Sequence, residues 1–363
     1  MPVATDAFCH TAHCLQLHSF KASATAVQWS PQNTHTLFSS SFDGSIVMCD
    51  TRVGKAVSSW SCPTVPSKGM ESFFESEQAF AKAGSDIVPP VSCISVGCEG
   101  AMLAAGTGSF VRFWDVRSAT SPGAGVLGEY VESHAQCITA LAFHPTLTST
   151  LLSGDESGLV NVFDTSVAGE VDALSGSLAA DSGISRLGVF GPQGACVYAT
   201  SQTCGLQLWN LGSGDSMLHL PALHCTFLEA GVDCQYLVDC TYDEGSQQLA
   251  LWAGSRSGAL HLYTVQARGL QPRAQLAAGH TEDVRCIARV PAGGSAVFVS
   301  GAEDGSLAAW GSSSLVHSSS QGAAGPSPAT VIQGGGASSG KRHKKKHRKR
   351  SQDRRGLHTS TPF

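Results

Sequence analysis

Apolar and polar positions along this chain alternate in short runs, with turn-forming clusters between them. The pattern is clearest near the C-terminal end. VRCIARV, AVFVSG and SLAAW lie between Gly279 and Gly311 and are separated by PAGG and AEDG. Runs of this length, rich in β-formers and bounded by Gly, Pro and Asp, predict three successive antiparallel strands. The same rhythm returns upstream. Thr25 to Arg52 gives three strands with the turn Asp43-Gly44, and KAVSSW, ending at Trp60, predicts a fourth, outer strand. Further units close at Trp114-Asp115, Phe163-Asp164, Trp209-Asn210, Tyr263-Thr264 and Trp310-Gly311. With Cys49 as the first closing position, the intervals are 65, 49, 46, 54 and 47 residues. A second register runs in step. Gly44, Gly158, Gly258 and Gly305 each stand five residues before a closing position, and Gly108 and Gly205 miss that slot by one. Glycine suits a tight turn that needs positive φ.

A unit of this length, repeated six times, predicts an all-β ring of sheets, a single β-propeller over residues 13–311. The long first interval holds an insertion over residues 61–90. There MESFFESEQAFAKA spaces Met70, Phe73, Phe74 and Phe80 for a short amphipathic helix. Residues 1–12 are expected to be disordered. His13 to Phe20 alternates apolar Leu15 and Leu17 with polar Gln16 and His18, which predicts one spare strand. The last unit lacks a fourth strand immediately downstream, so the expectation is that His13 to Phe20 closes the ring there. Residues 312–340 are Gly/Ser-rich and read as a flexible linker.

Composition changes this picture little, but charge changes it more. The 363 residues are 42% apolar, with 40 Gly and 15 Pro, enough for a core and many turns. No run of eighteen apolar residues predicts a membrane span, and the first twenty residues have no apolar signal-peptide core. Thirteen cysteines, an odd number with no C-x-x-C, read as scattered free thiols. The net charge of −5 is divided unevenly. Residues 341–355 hold ten Lys/Arg and one acid, a net of +9. The remainder holds thirteen Lys/Arg and twenty-seven acids, a net of −14. The basic tail, residues 341–363, is expected to be disordered and to bind anions through Lys341, Arg342, Lys344, Lys345, Lys346, Arg348, Lys349 and Arg350. An import receptor or RNA are the partners its composition suits. It lacks interleaved aromatics, which argues against sequence readout. The expected location is the nucleus, with the nucleolus and a cytoplasmic fraction as further expectations.

His280, Ser300 and Asp304 admit a hydrolytic-triad reading, but Ser300 lies mid-strand and no G-x-S-x-G elbow occurs. No P-loop, dinucleotide fingerprint or metal-ligand spacing is present, so no catalytic residue, cofactor or metal is expected.

The units resemble blades of the WD-repeat family. The Gly279–His280 opening and the close at Trp310 carry the resemblance, as do Ser133–His134 through Phe163–Asp164 and the string FWDVR, Phe113 to Arg117. That resemblance implies a non-enzymatic protein-interaction platform, a monomeric ring working within a complex. It also implies that His280, Ser300, Asp304 and Trp310 hydrogen-bond one another across a blade, with His134 and Ser153 doing the same in the third unit. The family pattern has a further blade before the first unit here, which leaves six or seven blades open. Trp114, Asp115 and Arg117 resemble the W-D-x-R signature of substrate receptors of cullin-RING ubiquitin ligases. With Phe73 and Phe74 of the insertion, they are the candidate partner contacts.

Overall fold

In a computed structural model, described residues are 17–64, 88–118, 125–277, 279–292, 295–311 and 330–333. They form six four-stranded antiparallel sheets arranged as a ring. Blade one is β1 (Ala24–Trp29), β2 (Thr36–Ser41), β3 (Ser45–Asp50) and β4 (Lys55–Ser61). Blade two is β5 (Cys93–Gly97), β6 (Met102–Thr107), β7 (Phe110–Asp115) and β8 (Gly128–Tyr130). Blade three is β9 (Ile138–Phe143), β10 (Thr150–Asp155), β11 (Leu159–Asp164) and β12 (Leu174–Ala179), with helix α1 (Glu170–Ala173) before β12. Blade four is β13 (Ile184–Phe190), β14 (Cys196–Ser201), β15 (Leu206–Asn210) and β16 (Ser216–Leu220). Helix α2 (Leu223–Glu229) leads to blade five, β17 (Tyr236–Asp243), β18 (Gln248–Gly254), β19 (Leu260–Gln266) and β20 (Gly269–Leu276). Blade six is β21 (Val284–Ala292), β22 (Ser295–Ala302), β23 (Ser306–Gly311) and β24 (Thr330–Gln333). The six units and their closing positions are those read from the sequence.

The glycine register has a physical basis. Gly44, Gly108, Gly158, Gly258 and Gly305 all sit at φ between 60° and 91° in the turn before the third strand. Blade four departs from this. There Cys204 takes the left-handed position at φ 61°, and Gly205 follows because a Cβ would stand 2.8 Å from Ser201 Oγ.

Cores form where neighbouring sheets meet face to face. Trp114, Trp252 and Trp310 are fully buried at such junctions, and large aromatics contribute the most apolar area per residue. Inner strands are also stitched from blade to blade. Val96 N–H donates to Gln28 Oε1, Ser92 Oγ–H to Ile138 O, Thr139 Oγ1–H to Ile184 O and Val284 N–H to Tyr236 Oη. Blade one differs on its other face, where Val27 and Trp29 of β1 are 62% and 53% exposed.

The closing strand corrects one expectation. Residues 17–20 form no strand, and the outer place of blade six belongs to β24, paired Ser306↔Gln333 through Ala309↔Thr330. β24 therefore lies inside the stretch expected to be a plain linker. Its Thr330, Val331 and Ile332 are a run of three β-branched residues, and pairing them satisfies the edge of β23. Residues 1–16, the stretch expected to form the insertion helix, with Phe73 and Phe74, and the basic tail lie outside the described residues.

Candidate functional site

Of the polar side chains singled out from the sequence, His134, Ser153, His280 and Ser300 are buried within blades, and Asp304 is half-buried at a turn. In blade six, His280 lies in the connection that precedes β21. Gly279 beside it allows this close approach, because a Cβ there would meet the Trp310 ring at 2.4 Å. His280 Nε2 is 2.7 Å from Ser300 Oγ, and Nδ1 is 2.7 Å from Ser306 Oγ. Trp310 Nε1–H donates to Ser300 Oγ at 2.8 Å. Ser306 donates both its N–H (2.8 Å) and its O–H (2.5 Å) to Asp304 Oδ1.

These directions fix the imidazole tautomer. Ser306 has one hydroxyl proton and gives it to the carboxylate, so His280 Nδ1 must carry a proton and donate to Ser306 Oγ. Nε2 then accepts from the Ser300 hydroxyl, which itself accepts from Trp310. The chain runs Trp310 to Ser300 to His280 to Ser306 to Asp304. Burial keeps His280 neutral, with its pKa below the ordinary value although Asp304 pulls the other way. Hydrogen bonds from Ser306, and then the Thr281 N–H at 2.7 Å, hold the Asp304 carboxyl far below the usual carboxylate range.

Blade three builds the same staple differently. His134 Nδ1 is 2.8 Å from Asp155 Oδ2 with no serine between, and Nε2 is 2.6 Å from Ser153 Oγ. Phe163 stands where blade six has Trp310 and offers no N–H. Asn161 supports the ring instead, its amide 3.3 Å from His134 Nε2 and donating to Ser133 O at 2.8 Å, while Ser177 donates to its Oδ1 at 2.6 Å. Burial pushes Asp155 up, but hydrogen bonds from Ser157, His134 and the Leu159 N–H outweigh it and leave the carboxyl below its usual range. Glu170 of α1 braces the segment leading to His134, accepting from the N–H groups of Val131 (2.7 Å) and Ser133 (2.8 Å) and from the Ser133 hydroxyl (2.5 Å).

Ser153, His134 and Asp155 have the connectivity of a hydrolytic triad, yet they are 0%, 5% and 1% exposed. The Ser153 hydroxyl faces sheet neighbours, so a substrate carbonyl has no path to it. The arrangement can hold a sheet together, and its hydrogen bonds are all used in doing so.

Asp155, Asn161, Ser306 and Glu170 were missed in the sequence reading. Aligning SGDESG (Ser153 to Gly158) with SGAEDG (Ser300 to Gly305) would have revealed Asp155, since the acid moves from the fifth place to the third. In blade two the network is missing. Ala105 stands where blade six has Ser300, and the buried Trp114 Nε1–H has no hydrogen-bond partner. Trp114 is fully buried and cannot touch a partner, which corrects its place among the candidate contacts. Asp115 and Arg117 lie at the surface as a two-pronged ion pair, both contacts 3.0 Å, matched by Asp50 and Arg52 in blade one. Arg117 is 76% exposed. Among the described residues no cluster of His, Cys, Asp or Glu could hold a metal ion, and no helix is long and apolar enough to cross a membrane.

Six four-stranded blades, stapled in places by His–Ser–Asp networks, define a WD-repeat β-propeller, and the chain belongs to that class. The WD domain, G-beta repeat model matches residues 11–50 and 271–311. The chain is similar to the WD repeat-containing protein 89 homolog of Dictyostelium discoideum, 26% identical over 258 residues, covering 70% of this chain and 63% of that protein. It is also similar to WD repeat-containing protein GTS1 of Arabidopsis thaliana, 26% identical over 231 residues, covering 59% and 56%. The chain thus spans less than two thirds of either relative. Among solved structures, a chain of a mitotic checkpoint complex matches with TM-score 0.58 at 16% identity, covering 79% of this chain and 76% of that one. This last likeness speaks to fold alone.

Proposed function

We propose that this protein is a non-enzymatic nuclear scaffold that holds protein partners on the faces of its ring, with its basic tail as the import and anion-binding element. The observation that carries the reading is the burial of the chemistry-bearing side chains. His134, Ser153, Asp155, His280 and Ser300 spend their hydrogen bonds inside blades, which leaves the ring's loops as the surface available for work. The tail's charge supports the second half. A net +9 in fifteen residues on a body of −14 can act largely free of that body beyond a screening length of about 8 Å at physiological salt.

The test is affinity purification of the full chain and of a chain ending at residue 340. Protein partners kept by both, with nuclear entry lost only in the shorter, are expected. Absence of stable protein partners from both would overturn the scaffold reading. A cullin adaptor lost on Arg117→Ala would favour a ubiquitin-ligase receptor. The Arg117 guanidinium is, however, already engaged by Asp115, which gives that reading no support of its own.

A further inference from the structure

The face of the ring that carries the turns between first and second strands holds a groove across blades three, four and five. One cavity, about 300 Å³, has Phe190 and Pro192 on the blade-four side and Tyr242 on the blade-five side, with Gln193, Glu244 and Gln247 around it. A second cavity of about 510 Å³ adjoins it and shares Thr146, Gln193 and Gly194. The wall between them is a hydrogen bond from Thr146 Oγ1 to Gln193 O at 3.0 Å.

The floor is rigid and aromatic. Phe190 ends β13 and Tyr242 lies near the end of β17, and their rings meet edge to face with centroids 6.2 Å apart. Both are half-buried and line the cavity. Two of the flanking residues are held in an unusual backbone conformation. Gln193 and Gln247 are left-handed at φ 55° and 52°, where a non-glycine side chain is strained, and both are exposed. Both line the cavity, and each side chain carries a primary amide. Glu244, also exposed, adds a carboxylate on the blade-five side of a body whose net charge is −14.

We infer that this groove binds an extended, proline-containing peptide with a Lys or Arg next to the prolines. The inference rests on the protein-interaction reading above and gives it a place and a ligand chemistry. A polyproline helix has no internal hydrogen bonds, so its carbonyls need donors from the receptor, and the two glutamine amides supply them. Its rings pack against aromatic faces at little entropic cost, because the helix is already ordered before binding. Two adjoining cavities accept two side chains of such a peptide. Glu244 selects the sign of the flanking charge, which an acidic body reinforces.

The experiment is fluorescence anisotropy with the full-length chain and a labelled peptide of four Pro-Pro-Lys repeats. The comparison peptides are four Gly-Ser-Lys repeats, which have the same charge without proline, and four Pro-Pro-Glu repeats. Binding of the first at least fivefold tighter than either control is expected. Glu244→Lys, an exposed change that leaves the core untouched, should weaken the Pro-Pro-Lys peptide at least fivefold and strengthen the Pro-Pro-Glu peptide. The double change Gln193→Gly and Gln247→Gly, which suits the left-handed backbone, should weaken Pro-Pro-Lys binding while the chain melts no lower than before. Equal affinity for the Gly-Ser-Lys peptide would reduce the effect to bulk charge and overturn the groove. Indifference to Glu244→Lys would do the same. If peptide binding fails while partners still co-purify with the full chain, the groove falls and the scaffold reading stands.

Discussion

Blades three and six solve one problem with different parts. Each must anchor a histidine from the preceding connection to its own second strand. Blade three places Asp155 at the end of β10, so its carboxylate reaches the imidazole directly and lies 1% exposed. Blade six carries its acid two places later, in the turn, where Asp304 is 3.8 Å from His280 and acts through Ser306. The first staple is shorter and drier; the second is longer and is completed by Trp310. Their outer strands differ as well. Nine residues separate β11 from β12, whereas eighteen separate β23 from β24. A staple's strength should therefore follow its burial and not its residue list.

The largest effect expected is that of Asp155→Ala. It leaves the His134 Nδ1–H without its acceptor in a dry site, at a cost of about 3 kcal/mol. Asp304→Ala, at a wetter turn, should cost less than half as much. Urea unfolding of the two variants checks the contrast, and equal losses would break it.

Next comes the outer strand of blade six. A chain ending at residue 329 exposes the edge of β23, whereas one ending at residue 333 keeps it paired. The shorter chain should lose protection of blade-six amides in hydrogen exchange, with blade three unchanged. Matching protection in both would show that β24 adds nothing.

Trp310→Phe gives blade six the residue type that blade three uses at this position. It removes the donor to Ser300 and leaves a small void, for about 1–2 kcal/mol. If stability is unchanged, the indole N–H is not part of the staple.

The smallest effect is in pH. His280 has a folded pKa below its unfolded value of about 6.5, so the unfolded chain binds the proton more readily. The stability this contributes is complete above that value and is lost as pH falls through the folded pKa. Between pH 7.5 and 5.5 the wild type should lose more unfolding free energy than His280→Gln. Asp304 is held low and surrenders its share only in stronger acid. Parallel curves for the two proteins would show that His280 is not the group responsible.

Much of this was legible in the chain itself. Closing positions at Cys49, Trp114, Phe163, Trp209, Tyr263 and Trp310, with glycines in step, mark the six blades, because a tight turn and, in five of the six, a buried aromatic leave a residue-type signature. His280, Ser300, Asp304 and Trp310 were likewise visible, as were His134 and Ser153. Asp155 and Ser306 were not, since Asp and Ser are common in turns and only their distance to an imidazole distinguishes them. Trp114 was placed at a partner surface, whereas its sheet buries it.

The sequence alone therefore determined the repeat, the positions of six units and the acidic body with its basic tail, all of which depend on local order along the chain. The tertiary structure decided which acid meets which histidine, that Thr330–Gln333 closes the last sheet, and that Phe190 and Gln193 of blade four share one groove with Tyr242 of blade five. Those facts depend on contacts between residues far apart in the chain, and a residue's type does not record what folding brings beside it.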